Sequence, residues 1–257
     1  MTPMTPPSSA HSPRVLIVGA TSAIANEVAR RYAARGARLL LLGRRTDVLQ
    51  TAATDLRVRG AAEVVVEHFE ADALALHPVL MARAWTQWQG LDVALVAHGV
   101  LPDQAACQAS AKLALASFDT NAGSVLSVLT ELANHFEAQR SGVIGVISSP
   151  AGERGRASNY VYGAAKAAVS VFCSGLRHRL HAHGVRVVTI LPGFVDTPMT
   201  AALPKTGPLW AQPAQVADDI VQALDRRNGK LYTLWFWRWI MLIVVHLPQP
   251  LFLRSKL

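Results

Sequence analysis

Short runs rich in apolar residues alternate with stretches of helical periodicity along most of the chain. The runs lie at residues 15–18, 39–42, 64–69, 93–97, 143–147 and 185–190, and a last one begins at Leu231. Such runs are typical of strands buried on both faces of a parallel sheet. Helical spacing predicts helices at residues 24–35, 48–58, 79–88, 111–139, 162–181 and 216–226. The alternation predicts an α/β fold, a single doubly wound, Rossmann-like parallel sheet with helices on both faces.

The pattern changes at both ends of the chain. Residues 1–13 are rich in Pro, Ser and Thr without an apolar core, which predicts a flexible tail and no secretory signal peptide. Residues 14–234 contain no linker, so we expect one dinucleotide-binding and catalytic domain, with a Pro- and Gly-punctuated loop at 192–213. Residues 235–257 form an apolar, Trp-rich C-terminal tail.

Composition narrows the classes of partner. Of the 257 residues, 51% are hydrophobic and 16% are charged, which is enough for a large core. The net charge of +8 favours anionic partners such as nucleotides, phosphorylated substrates or anionic lipid. We see no metal-ligand spacing and no basic cluster denser than a pair, so neither a metal nor nucleic acid is expected. Cys107 and Cys173 lie far apart among small residues, which fits buried thiols in a reducing cytoplasm.

The turn after the first run has the composition of a phosphate site. Residues 18–25 read V-G-A-T-S-A-I-A and lead into the first helix, where backbone N–H groups face an anion. Glycine permits the tight turn, and the small residues let the backbone approach a pyrophosphate. A strand-to-helix connection without any ligand is the alternative. The cofactor residues predicted here are Gly19, Thr21, Ser22, Ala23 and Ile24.

The residues after the next two runs bear on the choice of dinucleotide. Arg44 and Arg45 follow the second run, and no acid comes before Asp47. Because guanidinium groups pair well with phosphate, this favours a cofactor with a 2′-phosphate, NADP(H), over NAD(H). Two solvated arginines are the alternative. Asp72 follows the third run and is placed either to bond an adenine amino group or as an ordinary loop residue.

The segment Y-V-Y-G-A-A-K at 160–166 raises the question of which tyrosine is a catalyst. Residues four apart share a helix face, so Tyr162 and Lys166 can act together, whereas Tyr160 lies on another face. On this segment alone, a half-buried tyrosine beside a surface lysine is the more ordinary interpretation.

Four segments in order resemble the short-chain dehydrogenase/reductase family over residues 14–234. They are the turn at 18–25, I-S-S-P-A-G at 147–152, Y-G-A-A-K at 162–166 and L-P-G-F-V-D-T-P-M at 191–199. The resemblance implies hydride transfer between a nicotinamide and a carbonyl or alcohol, with Tyr162 as acid/base. A neighbouring lysine cation is expected to lower the tyrosine pKa. Ser149 would bond the substrate oxygen and Asn121 would anchor a water, which completes the catalytic set Asn121, Ser149, Tyr162 and Lys166.

The resemblance also implies further contacts with the cofactor and substrate. Tyr162 and Lys166 would hold the cofactor as well, together with Ala97, Gly99, Pro192, Gly193, Val195 and Thr197. The predicted substrate-pocket residues are Tyr160, Phe194 and Met199.

Two departures from the family pattern stand out. Ala23 and Ala25 replace glycines, and their methyl groups would narrow the phosphate turn. His98 stands where an asparagine is usual, either filling part of its role or packed as an ordinary histidine.

Four segments, at residues 19–25, 97–101, 151–166 and 235–241, further resemble the keto-reductase component of bacterial decaprenylphosphoryl-ribose 2′-epimerase. This implies reduction of a 2-keto sugar on a polyprenyl phosphate. A reductase of free steroid, acyl or xenobiotic carbonyls and a non-catalytic NADP(H)-sensing protein are the alternatives. By resemblance to the family, a homo-oligomer through helices near 111–139 and 162–181 is expected.

The apolar stretch at 231–247 is too short to span a membrane comfortably. It has 17 residues where about 20 are needed, it contains Arg238 and His246, and Pro248 ends it. Its three tryptophans and the flanking Arg254 and Lys256 favour a membrane interface. Packing on the fold or in an oligomer contact is the alternative. The chain is therefore expected to be cytoplasmic and peripheral on the inner face of the membrane.

Overall fold

Seven parallel strands form the central sheet of the protein. The computed structural model describes residues 12–205 and 207–255, so the predicted N-terminal tail lies almost wholly outside the described residues. The sheet strands are β1 (Arg14–Val18), β2 (Arg38–Gly43), β3 (Glu63–His68), β4 (Val93–Val96), β5 (Val143–Ile147), β6 (Arg186–Pro192) and β9 (Gly229–Thr233). Two short strands, β7 (Phe194–Val195) and β8 (Trp210–Ala211), pair with each other outside the main sheet.

Helices connect the strands and cover the sheet. They are α1 (Ala23–Ala33), α2 (Thr46–Val58), α3 (His77–Thr86), α4 (Gln104–Ala109), α5 (Ala111–Phe118), α6 (Ser124–Gln139), α7 (Tyr160–His181), α8 (Pro213–Arg226), α9 (Trp237–His246) and α10 (Gln249–Arg254). The predicted strands and long helices are confirmed, except that the helix predicted at 111–139 is divided into α5 and α6. Helix α4 and the β7–β8 pair were not predicted, because such short elements carry little periodicity.

The strand order places one crevice at the carboxyl edge of the sheet. The order is β3-β2-β1-β4-β5-β6-β9, and every pairing within it is parallel. Because β1 lies between β2 and β4, the direction of winding reverses beside it. Doubly wound sheets bind ligands at this point. The predicted fold class is confirmed.

A separate apolar core covers each face of the sheet. On one face, α1 and α8 pack together, and α8 buries Val216, Ile220 and Leu224 at helical spacing. On the other face, α6 and α7 bury Leu129, Phe136, Val169 and other apolar side chains. The strands present apolar side chains to both cores, which explains why their sequences do not alternate with polar residues.

A π-helical turn interrupts the helix predicted at 111–139. The turn comprises Asp119–Gly123 and separates α5 from α6. The hydrophobic periodicity continues through both helices, so the extra residue per turn leaves little trace in the sequence. The interruption matters because the turn carries Asn121.

The C-terminal segment folds into two helices that pack on the domain rather than trailing as a tail. Trp237, Met241 and Val244 of α9 are buried. The Trp237 indole occupies the space beside Gly193, where an added Cβ would come within 1.8 Å of its Nε1 atom. No helix within residues 12–205 and 207–255 is long and apolar enough to cross a membrane.

Candidate active site

A cavity of about 460 Å³ opens at the carboxyl edge of the sheet, beside β1 and β4. It brings together the predicted catalytic residues, the predicted cofactor residues and one predicted substrate residue, Met199. The predicted residues that line it are Gly19, Thr21, Ser22, Ala23, Ile24, Arg44, Arg45, Asp72, Ala97, Gly99, Asn121, Ser149, Tyr162, Lys166, Pro192, Gly193, Val195, Thr197 and Met199. Residues far apart in sequence therefore share one space, as the strand order requires.

The turn after β1 depends on glycine at position 19. Gly19 has a φ of +83°, and an added Cβ would lie 2.5 Å from the backbone nitrogen of His98. Both its conformation and the close approach of the chain after β4 exclude a larger residue. The Ser22 side chain makes no capping hydrogen bond to α1, so the helix N-terminus remains available to an anion.

The two alanines that replace family glycines lie in different surroundings. Ala23 lines the cavity, so its methyl group does border the space for a phosphate. Ala25 is fully buried in the core beneath the turn, where its methyl group packs against apolar side chains. We therefore expect the Ala23 methyl group, and not that of Ala25, to narrow the space for a phosphate.

Two unpaired arginines border the cavity beyond β2. Arg44 and Arg45 are exposed, and neither forms an ion pair with a carboxylate in the described part of the chain. Asp72 lies at the same cavity, after β3. Free guanidinium groups at this edge suit a phosphate ligand.

The two serines after β5 have different surroundings, which separates their roles. Ser148 is buried, and its hydroxyl donates to the Lys166 carbonyl at 3.0 Å and bonds the Ser170 hydroxyl at 2.7 Å. Ser149 lines the cavity, and its Oγ accepts from the Ala151 amide at 3.2 Å. Ser148 therefore ties β5 to α7, and Ser149 is the serine available to a ligand.

Tyr162 and Lys166 lie on the same face of α7, one turn apart. The Lys166 Nζ is 5.7 Å from the centre of the Tyr162 ring and donates to the Ile147 carbonyl at 3.0 Å. Tyr160 is exposed at the start of the helix and does not line the cavity. The geometry thus supports Tyr162 as the tyrosine that shares a site with the lysine.

The expected lowering of the tyrosine pKa by the lysine is absent. Burial raises the pKa of Tyr162 to about 12, against the opposing effect of a hydrogen bond with Ser149. Burial also lowers the pKa of Lys166 to about 8. Desolvation is therefore the dominant effect on both groups, and Tyr162 is held in its protonated form at neutral pH.

Asn121 is fully buried in the π-helical turn and faces the cavity wall. Its Nδ2 donates to the Ser117 carbonyl at 3.0 Å, and its Oδ1 accepts from the Val100 amide at 2.9 Å. A Cβ added at Gly99 would lie 2.7 Å from Asn121 Oδ1 and 3.5 Å from Lys166 Nζ. The glycine therefore keeps open a small space that both polar groups border. Anchoring of a water by Asn121 remains a prediction.

His98 takes a hydrogen-bonded position in the wall of the cavity. Its Nε2 bonds the Ser124 hydroxyl at 2.7 Å, while its buried Nδ1 has no partner among the described residues. Burial lowers its pKa to about 3, so the ring is neutral. The side chain thus links the loop after β4 to α6.

Phe194, like Tyr160, lies outside the cavity lining. Its ring stacks on Trp210 at 5.3 Å and meets Trp237 edge-on at 5.5 Å. The substrate roles of Phe194 and Tyr160 remain predictions. The lining residues that sequence reasoning missed are Gly43, Phe69, Glu70, Ala71, Val100, Thr120, Ile147, Ser148, Pro198 and Thr200. Most of these residues are sequence neighbours of predicted ones. The only sequence feature that could have identified them is their position just after a predicted strand.

The site fits a phosphorylated dinucleotide. Gly19 and Gly99 leave room that a side chain would fill, small residues line the turn, and two free guanidinium groups border its far end. A bound nicotinamide nucleotide would supply the hydride-transfer chemistry. Tyr162 and Lys166 would lie at the reacting end, and Arg44 and Arg45 at the other.

Comparison with known proteins agrees with this geometry. A family model described as short chain dehydrogenase matches residues 13–207. An uncharacterized oxidoreductase of Mycobacterium tuberculosis is 38% identical over 235 residues, which cover 91% of this chain and 94% of that protein. A 3-oxoacyl-[acyl-carrier-protein] reductase of Chlamydia muridarum is 27% identical over 188 residues, covering 73% and 76%.

A solved structure shows the same fold. An actinorhodin polyketide ketoreductase variant with NADPH superposes with a TM-score of 0.76 and 24% identity, covering 86% of this chain and 95% of that one. With the family model covering most of the domain, the chain belongs to the short-chain dehydrogenase family of oxidoreductases.

Proposed function

We propose that the protein reduces a ketone to a secondary alcohol with NADP(H), using Tyr162 as the proton donor. The observation that carries this proposal is the convergence of Ser149, Tyr162 and Lys166 on one cavity, with Lys166 Nζ 5.7 Å from the centre of the Tyr162 ring. The names of two similar proteins, a 3-oxoacyl reductase and a polyketide ketoreductase, support reduction of a ketone.

The protonation states favour the reductive direction. Tyr162 keeps its proton at neutral pH because burial raises its pKa to about 12. Donating that proton to the substrate oxygen leaves a phenolate, which the Lys166 ammonium on the same helix face stabilises. Ser149 donates a hydrogen bond to the same substrate oxygen and orients it. The hydride comes from the bound nucleotide.

The preference for NADP(H) over NAD(H) rests on Arg44 and Arg45. The NADPH-bound ketoreductase supports the same preference by analogy of fold. Replacing both arginines with alanine should weaken NADPH binding at least about tenfold and leave NADH binding unchanged, since charge-assisted bonds to phosphate contribute about 1.5–3 kcal/mol. Fluorescence titration of both nucleotides measures this.

Arg38→Ala provides the matched control for the two arginines. Arg38 is an exposed arginine at the opposite end of β2 from the cavity. The Arg38→Ala variant should bind NADPH and NADH with the affinities of the unchanged protein. Equal losses for NADPH and NADH in the double variant would contradict recognition of a 2′-phosphate.

The substrate proposal is a 2-keto sugar on a polyprenyl phosphate. It is supported by the resemblance of residues 151–166 and of the Trp-rich C-terminus to the keto-reductase component of decaprenylphosphoryl-ribose 2′-epimerase. NADPH oxidation should be measured with a polyprenylphosphoryl 2-ketopentose and with free steroid, acyl and small ketones. Faster turnover of the lipid-linked sugar is expected, and a preference for free ketones would overturn the substrate class alone. Binding of NADPH without turnover of any carbonyl would favour a sensing protein instead.

A further inference from the structure

Helices α9 and α10 present large apolar side chains on the side that does not pack on the domain. Within α9, the buried residues Trp237, Met241 and Val244 recur at helical spacing and form the packed side. The exposed side of α9 carries Trp239, Leu242 and Ile243, with the polar residues Arg238 and His246 beside them. Seven residues, each 40–73% exposed, make up what we term the C-terminal apolar face: Trp235, Trp239, Leu242, Ile243, Val245, Leu251 and Leu253.

This face belongs to a fixed element of the structure. The Arg154 guanidinium donates to the carbonyls of Val244, Val245 and Leu247 at 2.6–3.0 Å and thus caps the C-terminus of α9. It also lies 3.8 Å from the centre of the Phe252 ring in α10. One arginine therefore joins both helices to the loop before α7. Because Arg154 fixes the orientation of both helices, the exposed apolar side chains have a defined position on the surface.

Exposed cations lie on the two helices that carry the face, whereas Lys230 in β9 is paired with Glu153 at 3.0 Å. Residues 226–257 contain six Lys and Arg and no Asp or Glu. Arg238 and Arg254 are exposed on α9 and α10 themselves, with Arg238 5.6 Å from the Trp239 ring centre. Arg156, beneath α9, has no carboxylate partner in residues 12–205 and 207–255, and its buried Nε has no hydrogen bond.

These charges decide between the two simplest occupants of an apolar face. Neither α9 nor α10 carries an acidic residue, so a second copy packed there through a two-fold axis would bring only cations together, which is unfavourable. An anionic lipid surface supplies both an apolar layer for tryptophan and isoleucine and phosphates for the arginines. We propose that the C-terminal apolar face docks the protein on the surface of an anionic bilayer.

The docking is superficial. Helix α9 has ten residues and α10 has six, so neither can span the hydrocarbon layer. Trp235 and Trp239 suit the headgroup boundary, where the amphipathic indole is favoured. Exposed Arg238 and Arg254 would contact lipid phosphates from the same helices.

Helix α9, which carries part of the face, adjoins the rim of the active-site cavity through its packed side. Trp237 begins α9 and packs against Gly193, which lines the cavity, and against Phe194. A bilayer on the C-terminal apolar face would therefore lie beside the route to Met199 and Ser149. If the proposed function holds, a lipid-linked ketone could enter without leaving the membrane surface.

Flotation with vesicles tests the docking without measuring catalysis. Full-length protein should float with mixed phosphatidylcholine–phosphatidylglycerol vesicles and bind pure phosphatidylcholine at least about tenfold more weakly, since each basic residue near an anionic surface contributes about 1 kcal/mol. The double variant Trp239→Ser, Ile243→Ser should bind the mixed vesicles at least about tenfold more weakly, because burying one such side chain contributes about 1.5–3 kcal/mol. Both residues are exposed, so the fold should survive, which circular dichroism verifies.

A matched variant tests whether vesicle binding falls whenever exposed apolar side chains are replaced, wherever they lie on the protein. Leu76→Ser with Val79→Ser changes two residues of comparable exposure, 64% and 68%, far along the chain from the face. It should bind vesicles as the unchanged protein does. Three results would overturn the proposal: no flotation of the unchanged protein, equal loss in the control, or a change from oligomer to monomer in place of lost flotation. None of them depends on whether a ketone is reduced.

Discussion

At the scale of single residues, desolvation controls the protonation of the site. Lys166 is 3% exposed, and Tyr162 lies one helical turn before it. The pKa of Lys166 falls to about 8 and that of Tyr162 rises to about 12, both because burial disfavours the charged form. At neutral pH the pair is a neutral phenol beside an ammonium group, which is the state that a proton donor requires.

Burial of the ammonium should make stability depend on pH. Since the folded pKa of Lys166 is about 8 and the ordinary value is 10.5, the unfolded chain binds more protons between these values. The contribution of Lys166 to the free energy of unfolding therefore rises as the pH increases from about 8 to 10.5. Below about pH 8 both states are protonated and the full cost of burial is present.

The Lys166→Met variant isolates this contribution from other titrating groups. The free energy of unfolding of the unchanged protein, relative to the variant, should rise by up to about 3 kcal/mol between pH 7 and pH 10.5. Urea unfolding of both proteins at each pH measures the difference. A difference that stays constant with pH would show that the ammonium is not desolvated.

A second residue-scale prediction concerns the turn at Gly19. Gly19→Ala introduces a Cβ 2.5 Å from the His98 backbone at a φ of +83°, so both the turn and NADPH binding should be impaired. We expect a loss of more than about 1–2 kcal/mol in stability, the cost of the left-handed conformation alone. NADPH affinity should fall at least about tenfold, since the phosphate-binding backbone is displaced.

Gly36 provides the comparison for this variant. Its φ is +70°, but no atom lies within 4 Å of an added Cβ. Gly36→Ala should show the conformational cost while NADPH affinity is retained. Thermal melting and nucleotide titration of the two variants separate the effect on the site from the effect on the turn. Comparable loss of NADPH affinity in both variants would argue against a specific role for Gly19.

At the scale of elements, the sequence predicted the parts whose periodicity is strong. The apolar runs of β1, β2 and β5 identified buried strands, and the four-residue spacing of Tyr162 and Lys166 identified a shared helix face. The π-helical turn at Asn121 could not be predicted, because a five-residue hydrogen-bond pattern leaves the apolar spacing nearly unchanged. Nor could the residue spacing show that burial would raise the Tyr162 pKa, since that depends on packing from several elements.

The C-terminal helices illustrate a different limit of prediction. Trp237 is buried and Trp239 is exposed, although both are tryptophans in one apolar stretch. Because apolar residues occur on most sides of α9, its sequence does not show which tryptophan packs on the protein. The contacts of Arg154, which are distant in sequence, determine it.

Arg154 should therefore be the principal attachment of α9 and α10. Arg154→Ala removes three hydrogen bonds to carbonyls and the contact with the Phe252 ring, and should reduce stability by about 2 kcal/mol. Hydrogen exchange should become faster in residues 237–254 and remain unchanged in the sheet.

Arg179→Ala is the control for loss of an arginine. Arg179 forms an exposed ion pair with Glu137, and such pairs contribute about 1 kcal/mol or less. Its removal should leave exchange in residues 237–254 unaltered. If Arg154→Ala also left that exchange unaltered, the helices would be held by apolar packing alone.

At the scale of the whole molecule, the parallel sheet assembles the site. Each strand of the sheet ends at the same edge, so the residues after β1, β2, β4, β5 and β6 converge although they span most of the chain. The alternating sequence pattern predicted the parallel sheet and the ligand site at its edge, whereas the residues expected after β4, β5 and β6 came from the resemblance to the family. A homo-oligomer remains a prediction, and light scattering of the purified protein would test it.

The central claim is that this converged site transfers a proton through Tyr162. The most direct measurement is the single-turnover rate of NADPH oxidation by Tyr162→Phe, with the best carbonyl substrate of the unchanged protein. The rate should fall by about 10²–10⁴-fold, the usual contribution of general acid catalysis, while NADPH affinity is retained and Tyr160→Phe reacts nearly normally. A Tyr162→Phe protein that oxidises NADPH at the unchanged rate would contradict the account.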